Sequence, residues 1–436
     1  MREICLSFFI SEGPSGWRLS FIIDSIDSLY CMTKDSEFTF YEAGEEPNQN
    51  IIFGNGASNQ VGKLAKKLGQ HALLVTDCGL SSVGHPQKIQ KNLESANVRV
   101  TLYDESIENP TESSVQACVE VAEKREVDLI IGLGGGSSMD TAKGCNFILS
   151  NGGKMSDFWG VGKATRSMYP LIAIPTTAGT GSECQSFALI SNDVSHKKMA
   201  CGDQKALPRV TILDPELTLS QPNSVTACTG VDALSHALES MVTSKRNKES
   251  HHHAKLAFQL IQEFLPLVFK DPTDLNSRGK VLLGASHAGA AIERSMLGAA
   301  HSMANPLTAN RGIVHGVAVG TVLPEVMKFN KADLGTNSIY AKLARDTGIA
   351  SIDCHDEEAN GLLIEKIYSI LKLAKIPATL CELGFIPSDI PSLALDASEQ
   401  WTANFNPRPV SRDDFENIYS NLFSSTPCET QSLQTN

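Results

Sequence analysis

Residues 127–144 read VDLIIGLGGGSSMDTAKG, and they indicate the fold class more clearly than any other part of the chain. The apolar run 127–133 is typical of a strand buried on both faces, and a triple glycine separates it from a helix start. Glycines at such a turn let the backbone approach a phosphate, which the free N–H groups of the helix then bind. A tight turn without any ligand explains the same residues equally well, because they match neither G-x-G-x-x-G nor a P-loop.

Similar alternation extends to both sides of this stretch. Helical periodicity follows the early strand-like runs, and the runs themselves are IIFGNGA (51–57), ALLVTD (72–77), VRVTLYD (98–104), YPLIAIP (169–175) and RVTIL (209–213). Strands alternating with helices at this spacing predict a parallel sheet with helices on both faces. After Asp214 only helical periodicity remains, and it includes one predicted helix over residues 277–300. The sequence therefore predicts an α/β domain over residues 37–214 and an all-α domain over 215–423.

Length, charge and cysteine content limit the number of domains, the partners and the cellular compartment. The 436 residues suggest two domains, and the net charge of -12 argues against nucleic acid or an anionic membrane as a partner. The eleven cysteines include no C-x-x-C pair, which favours reduced thiols in the cytoplasm. No apolar run reaches the length of a membrane span. Residues 1–36 are predicted to be a poorly ordered extension, and residues 424–436 a disordered polar tail.

Four residues in the helical part have metal-ligand character. Asp232 and His236 are four apart in VDALSHALE, so a helix presents both on one face, and His301 and His315 follow on later segments. One carboxylate and three imidazoles suit a divalent transition metal. Each residue alone has an ordinary structural explanation, but the four together favour a metal site.

Two loops in the α/β part suggest a nucleotide crevice. Asp77 ends a strand, where a carboxylate can accept from both ribose hydroxyls and repel a 2′-phosphate, which favours NAD over NADP. A helix N-cap is the alternative role for Asp77. The stretch TTAGTGSE (176–183) follows another buried strand, where loops line the ligand crevice of an open parallel sheet, although an ordinary turn explains it too.

Several motifs together resemble the iron-containing, or group III, alcohol dehydrogenases over residues 37–423. The matching motifs are GGGSSMDTAKG (134–144), PTTAGTGSE (175–183), DPELT (214–218), TGVDALSHALE (229–239), GAAHSMANPLTA (298–309), HGVAVGTVLPEVMKFN (315–330) and NPRPV (406–410). The resemblance implies a Rossmann-like α/β domain followed by a helical domain, an architecture shared with dehydroquinate synthase.

The resemblance also implies the site residues and the reaction. The metal, Fe²⁺ or alternatively Zn²⁺, is expected on Asp232, His236, His301 and His315. NAD is expected on Asp77, Gly135, Gly136, Ser137, Asp140, Thr176, Thr177, Thr180 and Lys198. The implied reaction is reversible hydride transfer between a small alcohol and NAD, with the cation acting as a Lewis acid. A homodimer or larger homo-oligomer is expected.

Two positions depart from the family pattern. Many members have a second histidine four residues after the third metal ligand, but this chain has Asn305, whose amide cannot relay a proton near neutral pH. An aromatic residue of some members is replaced by Ile292. A zinc polyol dehydrogenase of the glycerol type, a lyase like dehydroquinate synthase and a non-catalytic metal- and nucleotide-binding protein are the alternatives.

Overall fold

The computed structural model describes residues 8–13, 16–21, 36–38, 49–195 and 197–424. The predicted extension (1–36) and tail (424–436) lie largely outside these residues, so both stay predictions. In chain order the strands are β1 (Phe8–Gly13), β2 (Gly16–Phe21), β3 (Ser36–Phe38), β4 (Asn50–Phe53), β5 (His71–Val75), β6 (Arg99–Tyr103), β7 (Leu129–Gly134), β8 (Gly160–Val161), β9 (Leu171–Pro175), β10 (Phe187–Ser191), β11 (Lys198–Gly202) and β12 (Val210–Leu213).

The α-helices follow most of the helical patterns in the sequence. They are α1 (Val61–Ala65), α2 (Cys78–Val83), α3 (His85–Ser95), α4 (Glu112–Glu123), α5 (Gly136–Asn151), α6 (Asn223–Val242), α7 (Lys248–Lys270), α8 (Leu275–Arg294), α9 (Ala299–Arg311), α10 (His315–Asn330), α11 (Leu334–Asp346), α12 (Asp356–Leu373), α13 (Ile390–Ser398) and α14 (Arg412–Ser424). Among the described residues, no helix combines the length and the apolarity needed to cross a membrane.

The largest sheet has the strand order β3-β4-β12-β9-β7-β5-β6 within the described chain. Neighbouring strands are parallel throughout, except that β3 pairs with β4 in the antiparallel direction. Strands β5, β7 and β9 are buried along their whole length, as their continuous apolar runs require. The predicted parallel α/β sheet is confirmed.

Side chains of the central strands alternate between two hydrophobic cores. Leu73 and Val75 of β5 pack into a core with helices α4 and α5, whereas Ala72 and Leu74 pack into a second core with α1 and α3. Successive residues of a strand point to opposite faces, so the two cores lie on opposite faces of the sheet. This arrangement leaves the ends of the strands, and the loops that follow them, available for a site.

The carboxyl ends of β5, β7 and β9 meet at one edge of the sheet. Gly134 of β7 is in register with Pro175 of β9, and Val75 of β5 with Gly132 of β7. Asp77, the glycine turn and Thr176 follow these strand ends directly. The topology thus brings three of the predicted cofactor segments to the same edge, where ligands of open parallel sheets bind.

A second, small sheet was not predicted from the sequence. Strand β10 pairs antiparallel with β11, and β11 pairs parallel with the two-residue strand β8. The loop predicted at 176–183 therefore leads into a hairpin, and Lys198 is the first residue of β11. Residues of β10 alternate between buried and more exposed, a period-two pattern too short to distinguish from loop in the sequence.

The chain divides into two compact units. The first comprises Met1–Gln221 with Thr273–Gly289, and the second comprises Pro222–Pro272 with Ala290–Asn436. Within the described residues, the second unit contains helices and no strands, so the predicted change from α/β to all-α is confirmed. The domain boundary near residue 214 stays a prediction.

The helix predicted over 277–300 is wrong in one respect. The chain forms two helices there, because α8 ends at Arg294 and α9 begins at Ala299. Gly298 precedes α9 with a φ of -139° and a ψ of -143°, a non-helical conformation that interrupts the helical path. His301 therefore lies in the first turn of a new helix.

Candidate metal centre and cofactor-binding turn

Helix α6 carries the first two predicted metal ligands. Asp232 and His236 are four residues apart, so the helix presents both side chains on one face. Both are buried, and the imidazole Nε2 of His236 lies 3.4 Å from Oδ1 of Asp232. The segment after Gly230 contains neither glycine nor proline, which favours an uninterrupted helix through this pair.

Helices α9 and α10 contribute the other two predicted ligands. Nε2 of His301 lies 3.6 Å, and Nε2 of His315 lies 3.8 Å, from the same Oδ1 of Asp232. The His236 and His301 rings stack with their centroids 4.8 Å apart. His315 is the most accessible of the four, with 31% of its side chain exposed. The three predicted histidine ligands therefore lie around one carboxylate oxygen of the fourth, Asp232, within the second unit.

Close packing of α10 against α6 explains how His315 reaches this cluster. A Cβ atom on Gly316 would overlap the carbonyl group of Cys228, and a Cβ atom on Gly320 would lie 2.7 Å from Val231. Glycine at these positions lets the two helix backbones approach each other. The side chain at the start of α10 is thereby held beside the ligands of α6.

The donor atoms of Asp232, His236 and His301 all lie within 4.8 Å of one another and fit a single divalent cation, and His315 lies beside this group, 3.8 Å from Oδ1 of Asp232. Asp232 Oδ1 and His301 Nε2 are buried and have no hydrogen-bond partner among the described residues. Buried polar atoms of this kind are normally satisfied, and a metal would satisfy both. Ligand atoms at metal bond lengths of roughly 2.1 Å lie about 3.4 Å apart in a tetrahedron, close to the observed separations. One oxygen and three nitrogens suit Fe²⁺ or Zn²⁺.

The carboxylates and imidazoles of the cluster shift one another's pKa values toward the charged forms. Burial raises the pKa of Asp232, but the imidazoles of His236, His301 and His315 lower it by more, so the net pKa lies well below its usual range. Burial lowers the pKa of His301, yet the carboxylates of Glu239 and Asp232 raise it to about 9. The cluster is therefore a strongly polar centre inside an apolar helical unit.

Glu239 is a member of this centre that the sequence analysis did not single out. It is buried, its Oε2 lies 2.5 Å from Nδ1 of His301, and its Oε1 accepts from the backbone N–H of Ala300 at 2.7 Å. Its position, three residues after His236 on the same helix face, was the available signal. Asn406 supports the same helix start by accepting from the N–H of Ala299 at 3.2 Å.

The predicted phosphate-binding turn lies in the first unit, at the start of α5. Gly134 has a φ of 148°, which only glycine adopts readily, and Gly135 is the N-cap of the helix. Gly136 and Ser137 form the first turn of α5, and both are partly exposed. The free N–H groups of this helix start are therefore available to an anion, and phosphate binding there stays a prediction.

The threonine loop, residues 176–183, packs directly against the glycine turn, residues 134–136. The backbone N–H of Thr176 donates to the carbonyl of Gly134 at 3.0 Å. A Cβ atom on Gly135 would lie 3.3 Å from Cγ2 of Thr177, and one on Gly136 would lie 2.8 Å from Cγ2 of Thr180. The structure thus brings the two predicted cofactor segments into contact, and the glycines are needed for that contact.

Asp77 serves as a helix N-cap, the alternative role that the sequence left open. Its Oδ1 accepts from the N–H of Leu80 at 3.0 Å at the start of α2, and Ser138 donates to its Oδ2 at 3.4 Å. The long contact to Ser138 links Asp77 to the helix of the glycine turn. The carboxylate is half-buried at the sheet edge, so capping does not prevent it from accepting ribose hydroxyls as well.

Asp140 and Lys198 lie on the side of the hairpin. Ser182 donates to Oδ1 of Asp140 at 3.3 Å. Burial raises the pKa of Asp140 to about 6, although Lys143 and then Lys198 act to lower it. Lys198 is exposed on β11 and is close enough to influence that carboxyl group.

Lys143 is a second residue that the sequence analysis missed. Its side chain is fully buried, and its ammonium group donates to the carbonyl and hydroxyl oxygens of Ser182 and to the carbonyl of Phe187. These bonds, of 2.6, 2.8 and 3.0 Å, fasten the end of the threonine loop to α5. A lysine in the middle of a helix, next to the small or apolar residues Ala142, Gly144 and Cys145, was the available signal.

Comparison with known proteins identifies the family. Residues 48–215 match the family described as iron-containing alcohol dehydrogenase, and residues 226–423 match the C-terminal domain of the same family. The chain belongs to the iron-containing alcohol dehydrogenase family. The predicted family and the predicted enzyme class, an NAD-dependent alcohol dehydrogenase, are confirmed.

Individual relatives cover most of this dehydrogenase. Alcohol dehydrogenase 4 of Schizosaccharomyces pombe is 34% identical over 84% of this chain and 86% of its own. The NAD-dependent methanol dehydrogenase of Bacillus methanolicus is 33% identical over 85% of this chain and 97% of its own. The crystal structure of a 1,3-propanediol oxidoreductase superposes with a TM-score of 0.83 at 30% identity, covering 86% of this chain and 97% of the other.

The two departures from the family pattern have clear structural settings in this dehydrogenase. The side-chain amide of Asn305 donates to Oε1 of Gln400 at 3.0 Å, and the residue is half-buried one turn after His301. Ile292 is buried near the end of α8. At position 305 an amide pair therefore replaces a titrating imidazole.

Proposed function

We propose that this enzyme reversibly oxidises small primary or secondary alcohols with NAD, and that Asp232, His236, His301 and His315 hold its divalent cation, Fe²⁺ or Zn²⁺. The observation that carries the assignment is the convergence of the four side chains, with Asp232 Oδ1 and His301 Nε2 buried and without hydrogen-bond partners among the described residues. When bound, the cation supplies Lewis-acid activation of the alcohol, and NAD accepts the hydride.

The chain's own residues hold the reactants. In this proposal the N–H groups at the start of α5 bind the cofactor pyrophosphate, with the Gly135–Ser137 backbone closest to it. Asp77 accepts hydrogen bonds from the adenosine ribose and disfavours a 2′-phosphate. Thr176, Thr177 and Thr180 border the cofactor. Asp140 and Lys198 bind it from the side of the β10–β11 hairpin.

Proton transfer in this enzyme does not use residue 305. An amide neither accepts nor releases a proton near neutral pH, and the Asn305 amide is already bonded to Gln400. Solvent or a cofactor hydroxyl group is the proposed proton carrier instead. His315, which has the most exposed side chain of the four proposed ligands, marks the side of the cluster that is open to solvent or substrate.

The substrate class is a small alcohol, with the aldehyde or ketone as product. Relatives of this chain are named for methanol, choline, lactaldehyde and 1,3-propanediol, which share a hydroxyl group on a short carbon skeleton. We propose further that the enzyme is cytoplasmic and forms a homodimer or larger homo-oligomer, with neither nucleic acid nor membrane as a partner. Light scattering after size exclusion measures the oligomer directly.

The experiment that tests the proposal is an activity screen after metal loading. Purified protein is loaded anaerobically with Fe²⁺ or Zn²⁺, and NADH absorbance is followed with a panel of short alcohols and diols. Turnover is expected with at least one alcohol, and His301→Ala is expected to abolish it. His355→Ala, an exposed histidine of the same unit, is the matched control and should retain activity. Absence of turnover under both metals would refute the proposal.

A further inference from the structure

We propose that Glu239 is a positioning residue that sets the metal affinity of the centre by fixing which nitrogen of His301 carries a proton in the metal-bound state. This inference rests on the proposed metal centre. Glu239 is assigned no role by the resemblance or by the ligand set, yet it is buried beside two of the four proposed ligands. It lies three residues after His236 on α6 and contacts His301 on α9.

Both oxygens of Glu239 are occupied by consecutive residues of α9. Oε1 accepts from the backbone N–H of Ala300 at 2.7 Å, and Oε2 lies 2.5 Å from Nδ1 of His301. The two partners lie in the first turn of α9, where backbone N–H groups have no acceptor within the helix. One carboxylate thus completes the helix start and holds the histidine ring.

The chemistry of these partners allows only one arrangement with a bound metal. A carboxylate accepts at both oxygens, a backbone N–H only donates, and Nδ1 of His301 must therefore donate to Oε2. The lone pair of Nε2 is then left to face Asp232 Oδ1, 3.6 Å away, where the cation is proposed. Carboxylates that hold the second nitrogen of a ligating histidine orient the ring and strengthen its metal bond.

Replacing Glu239 by glutamine tests this reasoning, because the shape is kept while one acceptor becomes a donor. The glutamine oxygen can serve Ala300 or His301, but not both. The backbone N–H cannot change, so the amide group NH₂ is expected to face Nδ1 and force its proton onto Nε2. A protonated Nε2 cannot bind a metal, and metal binding must then work against this preference.

The measurement is Zn²⁺ affinity by competition with a chromophoric chelator, together with the visible spectrum of the Co²⁺-saturated protein. Glu239→Gln is expected to weaken Zn²⁺ binding by roughly 10- to 100-fold and to alter the Co²⁺ spectrum. Glu239→Asp keeps two acceptors and should bind Zn²⁺ more tightly than Glu239→Gln. Glu325→Gln, on α10, makes the same chemical change at a surface pair with Lys328 and is expected to leave both readouts unchanged.

The outcomes separate this inference from the proposed function. Wild-type protein that binds no Zn²⁺ or Co²⁺ would refute the metal centre and this inference with it. Wild-type binding with an unaltered affinity and spectrum in Glu239→Gln would overturn the role of Glu239 alone. Equal affinities of the Asp and Gln variants would also overturn it, since the number of acceptors would then have no effect. Thermal unfolding of each variant confirms that folded protein is being compared.

Discussion

A substitution at Gly136 tests the contact between the glycine turn and the threonine loop. Gly136→Ala keeps the backbone N–H that is proposed to bind phosphate, so any effect comes from the added methyl group. That Cβ atom would lie 2.8 Å from Cγ2 and 3.2 Å from Oγ1 of Thr180, whereas ordinary contacts begin at 3.4 Å. The loop must therefore move by about 0.6 Å, the difference between 3.4 and 2.8 Å.

Rotation of the threonine side chain does not relieve this overlap. Both γ atoms lie close to the added carbon, and threonine is stiff about its first side-chain bond. Its hydroxyl also accepts from the N–H of Ser182 at 3.3 Å. Overpacking of this kind destabilises the folded protein by about 1–3 kcal/mol. The better helix propensity of alanine offsets up to about 1 kcal/mol of that cost. A net strain of one to two kcal/mol corresponds to a roughly 5- to 30-fold weaker binding of NAD when the loop is displaced.

The assay is NAD affinity by calorimetric titration, with thermal unfolding measured in parallel. Thr180→Ser removes Cγ2 and keeps the hydroxyl, so the double variant with Gly136→Ala should recover most of the lost affinity. Gly361→Ala, on helix α12 away from this turn, is the matched control, because its Cβ atom would meet no heavy atom within 4 Å. Wild-type affinity in Gly136→Ala, or no recovery in the double variant, would refute the steric argument.

Three further predictions follow from the two sites. His301→Ala is expected to reduce the metal content of dialysed protein to background by elemental analysis, while His355→Ala retains it; equal contents would remove His301 from the site. Asp77→Ser keeps an N-cap but loses the charge, so kcat/KM for NADP relative to NAD should rise at unchanged thermal stability, and a constant ratio would contradict the assigned role. Burial raises the folded-state pKa of Asp140 to about 6 from 3.8, so its stabilising contribution is present below about pH 4 and is lost as the pH rises through 6. The free energy of unfolding of Asp140→Asn should therefore exceed that of wild type by a margin that widens between pH 4 and 6. The widening is expected to be on the order of 3 kcal/mol. A margin that stays constant over this pH range would contradict the raised pKa of Asp140.

Local patterns in the sequence were enough to predict the parallel sheet and to propose the four metal ligands. A buried parallel strand has to be apolar along its length, so runs such as LIIGL and LIAIP mark the sheet centre. Asp232 and His236 are neighbours on any helix, whatever surrounds them. The motifs then implied their partners His301 and His315, whose Nε2 atoms lie 3.6 and 3.8 Å from Oδ1 of Asp232 in the structure.

The features that sequence reasoning missed depend on partners far away in the chain. The break before α9 is stabilised by Glu239 and Asn406, which accept from the N–H groups of Ala300 and Ala299 and lie 61 and 107 residues away. Helical periodicity continues across this break, so the sequence pattern alone joins the two helices. The role of Glu239 was hidden for the same reason, because it needs the register of α9 against α6.

The order of segments in the two units has a consequence for synthesis on the ribosome. The first unit includes Thr273–Gly289, which follows Pro222–Pro272 of the second unit in the chain. Until that late segment emerges, Glu183 lacks the Ser286 hydroxyl that donates to it at 2.6 Å, and Gly181 lacks its close backbone neighbour Gly289. A nascent chain that ends after residue 221 is therefore expected to hold an incomplete first unit with a buried carboxyl group unsatisfied. Folding of the N-terminal unit must wait for the middle of the chain, so translation pausing before residue 289 would prolong exposure of an unfinished sheet.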